Sequence, residues 1–174
     1  MIIQEVNYLR HIGVLGMHWG IRKQYQMVKA GITKKDVDSI ISTMTSKERR
    51  LMGVEKVKGD IGYMSFKEGK NVVKRFLLKD GKTPVAFFDL LDTGKDLNAV
   101  LGTRKGPQYR NKGYGTKSAK KGLDWYTKNK DRLGYKHVVW FAEKDNIASQ
   151  KVAEKNGLKL DKNYKDDQWT KYLY

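Results

Sequence analysis

The chain has 174 residues, is 39% hydrophobic and carries a formal net charge of +17, which excludes a disordered polymer and favours one folded domain with anionic ligands or partners. The absence of cysteine excludes disulfides, thiolate catalysis and cysteine-zinc sites, and the three scattered histidines predict no metal site. No apolar run is long enough to span a bilayer and the N-terminus lacks the apolar core of a signal peptide, so we expect no membrane partner.

Residues 1–32 differ in pattern from the rest of the chain. Between positions 11 and 23 the sequence reads His-Ile-Gly-Val-Leu-Gly-Met-His-Trp-Gly-Ile-Arg-Lys, and its glycines suit neither a helix nor an alternating strand. This pattern indicates an irregular peptide that docks on a partner, with apolar anchors at its centre and a basic rim. The predicted docking residues are Leu15, Met17, Trp19 and Arg22. The alternative is a strap that completes the core of the chain's own domain.

The same segment resembles a short His-x-Gly-x-x-Gly-Met-x-Trp-Gly-x-Arg element of tailed-bacteriophage proteins, particularly those of head and morphogenesis modules. The resemblance implies that residues 1–23 dock on a phage head protein or another virion protein. It also implies that the protein resides in the virion or in the host cytoplasm.

Two short helices and a set of strands are predicted next. Apolar residues recur at helical spacing after Thr33, and Ser46 is suited to cap a second helix over residues 46–52. Residues 59–66 and 71–79 alternate as strands. The Asp80-Gly81 pair predicts a hairpin into residues 84–91, and a second hairpin around Thr93-Gly94 leads to a strand ending at Lys105.

The loop at residues 110–115 reads Arg-Asn-Lys-Gly-Tyr-Gly and separates that strand from a predicted helix over residues 116–130. Alternate glycines at a helix start bring bare backbone amides together, and the helix dipole adds positive potential there. Arg110 and Lys112 add mobile charge. The loop therefore predicts a site for a pyrophosphate, and the alternative is an ordinary turn.

A second strand and helix follow. Residues 137–142 form a β-branched and aromatic run, and Asn146 precedes a short amphipathic helix over residues 147–155. The Asn156-Gly157 pair is a typical helix stop.

The order strand, Arg-x-x-Gly-x-Gly, helix, strand, Asn, helix, Asn-Gly, strand resembles the GNAT-type N-acetyltransferase superfamily over roughly residues 58–174. The residues that carry the resemblance are Pro107, Arg110, Gly113, Gly115, Asn146, Ser149 and Lys155-Asn-Gly157. It implies an α/β (α+β) fold over residues 33–174, with a mixed, mostly antiparallel sheet that is flanked by helices and splayed at the fourth and fifth strands. It also implies acetyl-CoA as the cofactor and direct transfer of acetyl to an amine.

In the family the pantetheine arm of coenzyme A pairs with the strand before the glycine loop as an added strand would, and the pyrophosphate lies on the loop. The resemblance thus implies a set of cofactor-binding residues. They are Leu101, Thr103, Lys105, Arg110, Asn111, Lys112, Gly113, Tyr114, Gly115, Thr116, Asn146 and Ser149. For Asn146 the alternative is a helix N-cap, which is compatible with a cofactor contact.

The catalytic residues are less well defined. Family members often carry a tyrosine acid and a glutamate at positions that here hold Ala153 and Ala99. The remaining candidates are Glu143, Tyr172 and Asp96, with Asp89 and Tyr174 as further substitutes acting through water, and each is also typical of a surface or core residue. Two functions stay open: an N-acetyltransferase, and a virion-associated structural protein on the same fold with weak or lost catalysis.

Basic residues are concentrated at positions 104–132, which hold ten Lys or Arg against two Asp. One interpretation is a solvated helix face that keeps the protein soluble. The other is weak, salt-sensitive and non-specific contact with nucleic acid.

Overall fold

The computed structural model describes residues 2–7, 34–51 and 72–174. The strands are β1 (Ile2–Asn7), β2 (Val72–Asp80), β3 (Thr83–Asp92), β4 (Leu97–Thr103), β5 (Val138–Glu143), β6 (Lys159–Leu160) and β7 (Trp169–Leu173). The helices are α1 (Lys34–Ile41), α2 (Ser46–Leu51), α3 (Tyr114–Leu133) and α4 (Ile147–Lys155), with a 3-10 turn at Pro107–Tyr109.

Within these ranges seven strands form one sheet in the order β1-β2-β3-β4-β5-β7-β6. Neighbouring strands are antiparallel except for β4 and β5, which are parallel. The predicted mixed, mostly antiparallel sheet with flanking helices is confirmed.

The strand at Ile2–Asn7 was not predicted. It pairs with β2 from Ile2↔Lys79 to Asn7↔Lys74, so this part of residues 1–32 extends the sheet. The docking residues Leu15, Met17, Trp19 and Arg22 lie outside the described residues, as does the predicted strand at 59–66.

The helices on the two faces of the sheet follow the predicted apolar spacing. On one face Val37, Ile40 and Ile41 of α1 and Met44 of the following turn are buried against Leu77 of β2 and Phe87 of β3. The opposite face packs against α3 and α4, where Phe88 and Trp140 lie in a second core. No helix in the described part of the chain is long and apolar enough to cross a bilayer.

The α2 helix begins one residue away from the predicted cap. Thr45 precedes the helix, and its Oγ1 accepts a hydrogen bond from the Glu48 N–H at 3.3 Å. The Glu48 carboxylate in turn accepts the Thr45 N–H at 2.9 Å, which completes a capping box. Ser46 is therefore the first helical residue and not the cap.

The parallel strands β4 and β5 separate along their length. They pair only at Leu97↔Val138, Asn98↔Val139 and Ala99↔Trp140. Beyond Ala99, residues 100–103 of β4 keep their pairing with β3 but not with β5, which leaves one side of the backbone open to a ligand. The predicted splay between the fourth and fifth strands is confirmed.

Candidate functional site

A cleft of about 1200 Å³ opens where β4 and β5 separate. Its walls come from β4, the loop and first turn of α3, β5, the start of α4 and the α1–α2 turn. All twelve predicted cofactor-binding residues line it: Leu101, Thr103, Lys105, Arg110, Asn111, Lys112, Gly113, Tyr114, Gly115, Thr116, Asn146 and Ser149. The structure therefore brings together what the sequence pattern selected, and their binding roles remain predictions.

The start of α3 presents free backbone amides to the cleft. Gly113 is the N-cap residue, with a left-handed φ of 72° and no side-chain cap, and the first intrahelical bond runs from the Lys117 N–H to its carbonyl at 3.0 Å. The amides ahead of Lys117 have no partner within the helix. Together with the helix dipole they suit an anion, and the exposed side chains of Arg110 and Lys112 lie on the same loop, so we call this the candidate anion site.

Gly115 lets this helix end lie close to the open part of β4. A Cβ built at Gly115 would be 3.2 Å from Leu101 Cδ2 and 3.4 Å from Thr103 Cγ2, which is tighter than ordinary contact. The candidate anion site is thus adjacent to the unpaired backbone of residues 100–103.

Tyr114 anchors the glycine loop to the far end of a hairpin. Its side chain is largely buried, and its hydroxyl donates a hydrogen bond to the carboxylate of Asp80 at the end of β2. That hydrogen bond is the main cause that raises the pKa of Tyr114 above its ordinary value. Sequence reasoning missed this role, because no local pattern links residues 34 positions apart.

The α1–α2 turn is fixed on the end of β4 by polar contacts. The Lys105 N–H donates to Thr43 Oγ1 at 2.9 Å, and Arg104 Nη2 donates to Ser39 Oγ at 2.8 Å. Lys105 also forms an ion pair with Glu48 at 2.5 Å. Burial raises the pKa of Glu48, but the hydrogen bonds from Lys105 and Thr45 outweigh it, so the net shift is downward.

Asn146 and Ser149, two of the predicted cofactor-binding residues, also make structural hydrogen bonds at the start of α4. The Ser149 N–H donates to Asn146 Oδ1 at 3.1 Å, so the N-cap role expected as an alternative for Asn146 is present. Ser149 Oγ accepts a hydrogen bond from Trp140 Nε1 at 3.0 Å. This bond ties the helix start to β5.

Of the three catalytic candidates only Glu143 lines the cleft, where it pairs with Lys47 at 3.3 Å. Asp96 lies outside it and accepts the His137 N–H at 3.1 Å. Tyr172 is buried outside the cleft, with its hydroxyl 3.3 Å from the Glu154 carboxylate. Asp96 and Tyr172 therefore make structural contacts away from the cleft, and a catalytic role for either remains a prediction.

The two further substitutes, Asp89 and Tyr174, also make structural contacts. The Asp89 carboxylate is fully buried and accepts two hydrogen bonds from the Arg75 guanidinium, at 2.7 and 2.5 Å. The Tyr174 hydroxyl lies 3.0 Å from Thr127 Oγ1. Neither residue lines the cleft.

The two alanine positions differ in the structure. Ala99 lines the cleft at the point where β4 and β5 part. Ala153 is fully buried in the core and does not reach the cleft, which α4 instead lines through residues such as Ala148 and Val152.

An aromatic and carboxylate wall at the other end of the cleft was missed by sequence reasoning. Phe141 and Tyr164 meet edge to face with ring centroids 5.7 Å apart, and Trp169 also lines the cleft. The Asp166 carboxylate accepts the backbone N–H groups of Gln168 and Trp169 at 2.8 and 2.9 Å. These two hydrogen bonds lower the pKa of Asp166. Tyr164 and Asp166 lie in an irregular loop, where no periodic pattern marks them.

Comparison with known proteins agrees with the fold. The acetyltransferase from Agrobacterium tumefaciens is 16% identical, with 82% of this chain and 86% of that chain covered and a TM-score of 0.58. The GNAT-family acetyltransferase from Bacillus anthracis is 17% identical, with 82% of this chain and 89% of that chain covered and a TM-score of 0.55. The PaiA N-acetyltransferase from Thermoplasma acidophilum, in complex with coenzyme A, is 14% identical, with 82% of this chain and 96% of that chain covered and a TM-score of 0.53.

No curated protein matches the sequence. The family described as acetyltransferase (GNAT) domain matches residues 17–159, which is most of the chain. The chain therefore belongs to the GNAT acetyltransferase domain family.

Proposed function

We propose that this chain is an acetyl-CoA-dependent N-acetyltransferase that transfers acetyl directly to an amine. The observation that carries the proposal is the end of the β4–β5 ladder at Ala99↔Trp140, with the bare amides at the start of α3 opening onto the resulting gap. The PaiA N-acetyltransferase, which has the same fold, was crystallised with coenzyme A.

The residues present fit acetyl-CoA. The amides around Gly113 and the charges of Arg110 and Lys112 suit its pyrophosphate. The open backbone of residues 100–103 suits the amides of the pantetheine arm, as in strand addition. The lack of a Cβ at Gly115 keeps the two sites adjacent.

Acetyl-CoA supplies an activated acetyl thioester, and transfer to an amine R–NH₂ gives R–NH–CO–CH₃ and the free thiol of CoA. The amine must lose a proton during transfer, so the cleft needs a base. We assign this role to Glu143, acting through water, since it is the one candidate from the sequence that lines the cleft. Its pairing with Lys47 keeps the side chain at the cleft wall.

A second function has its own support. The family's usual acid and base positions hold Ala153 and Ala99, and Ala153 is turned into the core. Residues 11–22 resemble a phage head element. We therefore also propose a phage origin, with docking of residues 1–23 on a head or other virion protein, location in the virion or the host cytoplasm, and catalysis weakened or lost.

The basic surface supports a further proposed contact with nucleic acid. Four lysines of α3 are exposed: Lys117, Lys120, Lys121 and Lys128. Lys120 is partly neutralised by Asp124 at 3.0 Å. Such a surface predicts weak binding that declines with salt.

The acetyl-transfer assay separates the two functions. Wild type and Glu143→Gln are incubated with acetyl-CoA and a panel of primary amines, and thiol release and acetylated product are measured. The enzyme proposal predicts turnover by wild type and a loss of about 10²–10⁴-fold in kcat for Glu143→Gln, the usual contribution of a general base. Acetyl-CoA binding without turnover of any amine supports the structural protein instead.

A further inference from the structure

The closed end of the gap holds a carboxamide with no hydrogen-bond partner. Oδ1 of Asn98 is buried and unpartnered, and Asn98 lines the cleft one residue before the β4–β5 ladder ends. A buried carbonyl oxygen without a donor destabilises a fold, so native proteins seldom keep one without a reason.

The carboxamide of Asn98 is also free to turn. Among the described residues none forms a hydrogen bond with its side chain, and rotation about χ2 of an asparagine is a soft motion. Such a rotation exchanges the oxygen and nitrogen, so that Oδ1 faces the cleft and Nδ2 takes its buried place. The side chain is thus suited to a ligand that donates a hydrogen bond.

Ser118 provides an internal comparison. Its Oγ is the other buried, unpartnered side-chain atom in the described part of the chain. Ser118 lies on the buried face of α3 and does not line the cleft. A ligand in the cleft can therefore contact the side chain of Asn98 but not that of Ser118.

The position of Asn98 matches the reacting end of the cleft, provided that the proposed function is correct. The candidate anion site at the start of α3 lies against Leu101 and Thr103, so an arm in the gap runs from that end of β4 toward Ala99. The gap closes at Ala99↔Trp140. The thioester end of the arm therefore stops beside Asn98.

Asn98 also faces the side from which an acceptor approaches. It lies on the same face of β4 as Val100, which packs against the α1 cluster, because alternate residues of a strand share a face. Its neighbour in register is Val139, which shares its face of β5 with Phe141 and Glu143. This is the face of the aromatic and carboxylate wall.

We propose that the Asn98 carboxamide oxygen accepts a hydrogen bond from an N–H of the acceptor amine and holds the amine nitrogen at the closed end of the gap. A primary amine has the N–H donors for this contact and keeps its lone pair for the thioester carbon. Because a carboxamide cannot take up the proton that the amine loses, Asn98 is a positioning residue and the base lies elsewhere in the cleft.

The test compares full-length wild type with Asn98→Leu, Asn98→Asp and Ser118→Ala. The probes are n-butylamine for a small-molecule amine and Nα-acetyl-lysine amide for a protein lysine. Thiol release gives kcat and KM, thermal melting gives stability, and the melting shift that each amine causes in the presence of CoA gives acceptor binding.

Asn98→Leu is expected to lower kcat/KM for the better amine about tenfold, the value of one hydrogen bond, with KM for acetyl-CoA unchanged. Its melting temperature is expected to equal or exceed that of wild type, because an unsatisfied polar group is removed. Asn98→Asp keeps an oxygen acceptor and is expected to keep most of the wild-type kcat/KM. Ser118→Ala is expected to leave kcat and KM for the amines unchanged.

The inference would be overturned if Asn98→Leu left kcat/KM unchanged, or if Asn98→Asp lost as much kcat/KM as Asn98→Leu. Either result would leave the proposed function intact. An equal loss in Ser118→Ala would attribute the effect to packing and also overturn it. Acetyl-CoA binding by wild type with no turnover of either amine and no melting shift from them would refute the inference together with the transferase proposal.

Discussion

At the scale of single residues, the local pattern located the cofactor end of the cleft. Arg110, Gly113 and Gly115 belong to one continuous loop, so their spacing is visible in the sequence, and the fold places all of them on the cleft. Sequence reasoning missed contacts that depend on the folded structure. Tyr114 reaches Asp80, and Oδ1 of Asn98 is buried without a hydrogen-bond partner in the described part of the chain, and neither fact leaves a sequence signal.

Tyr114→Phe tests the anchor of the glycine loop. Removing the hydroxyl frees the loop from Asp80, so the dissociation constant for acetyl-CoA is expected to rise about two- to tenfold, the value of one hydrogen bond. Calorimetric titration measures it. Asp80→Asn should weaken binding similarly, and the double variant should add little. Full additivity of the two changes would show that the contact does not position the loop.

The same contact has a pH signature. Tyr114 titrates at a pKa above the ordinary 10.0 in the folded protein, so its contribution to stability is fully present below pH 10.0 and is lost as the pH rises through the folded pKa. Tyr126, Tyr164 and Tyr172 are shifted in the same direction. Denaturant melts across the alkaline range are expected to show falling stability in wild type and a smaller fall in Tyr114→Phe. Parallel curves for the two proteins would contradict this assignment.

At the scale of elements, helix and strand periodicity predicted most of the described chain. The bounds of α4 were predicted to the residue, and the buried side of α1 follows the predicted spacing. The N-terminal edge strand β1 was not predicted and has no clean alternation. A strand was predicted after Asn156-Gly157 without bounds, and the two-residue edge strand β6 is the first to follow that pair. Their formation depends on pairing with a neighbour rather than on local pattern.

Ala153→Tyr tests the orientation of α4. Since Ala153 is fully buried, a tyrosine ring overpacks the core and is expected to cost about 1–3 kcal/mol of stability without raising acetyl transfer. Thermal melting and the transfer assay measure both effects. Ala148→Tyr, at an exposed cleft position on the same helix, is the matched control and should melt near wild type. A stable and more active Ala153→Tyr would show that the position faces the reacting groups.

At the scale of the whole molecule, the N-terminal residues contain a strand of the sheet and the residues predicted to dock on a partner. β1 extends the sheet by pairing with β2, whereas the docking residues that follow it were predicted from their apolar and glycine pattern and from a resemblance. The sequence indicated that residues 1–32 were distinct, but it did not separate a strand from a docking segment, because both lack a helical or alternating period. The division of the chain into residues 1–32 and 33–174 remains a prediction.

Deletion of residues 1–7 is expected to lower the melting temperature by several degrees, since each kcal/mol lost corresponds to about 2–4 °C in a domain of this size. The combined change Met17→Ala and Trp19→Ala leaves β1 in place and is the control. It is expected to melt near wild type and to abolish incorporation into phage particles. A large loss of stability in this control would favour the alternative that the segment completes the domain's own core.

The central claim is that the start of α3 and the β4–β5 gap bind acetyl-CoA, and a matched pair of glycines tests it directly. Gly113 and Gly134 lie at opposite ends of α3 with φ of 72° and 71°, and a Cβ at either meets no atom within 4 Å. Aspartate at either site therefore carries the same backbone strain, but only at Gly113 does it block the free amides and repel phosphate.

Calorimetric titration of acetyl-CoA is expected to show one site in wild type and in Gly134→Asp, and a loss of binding in Gly113→Asp. Folded Gly113→Asp that binds acetyl-CoA as wild type does would contradict the account.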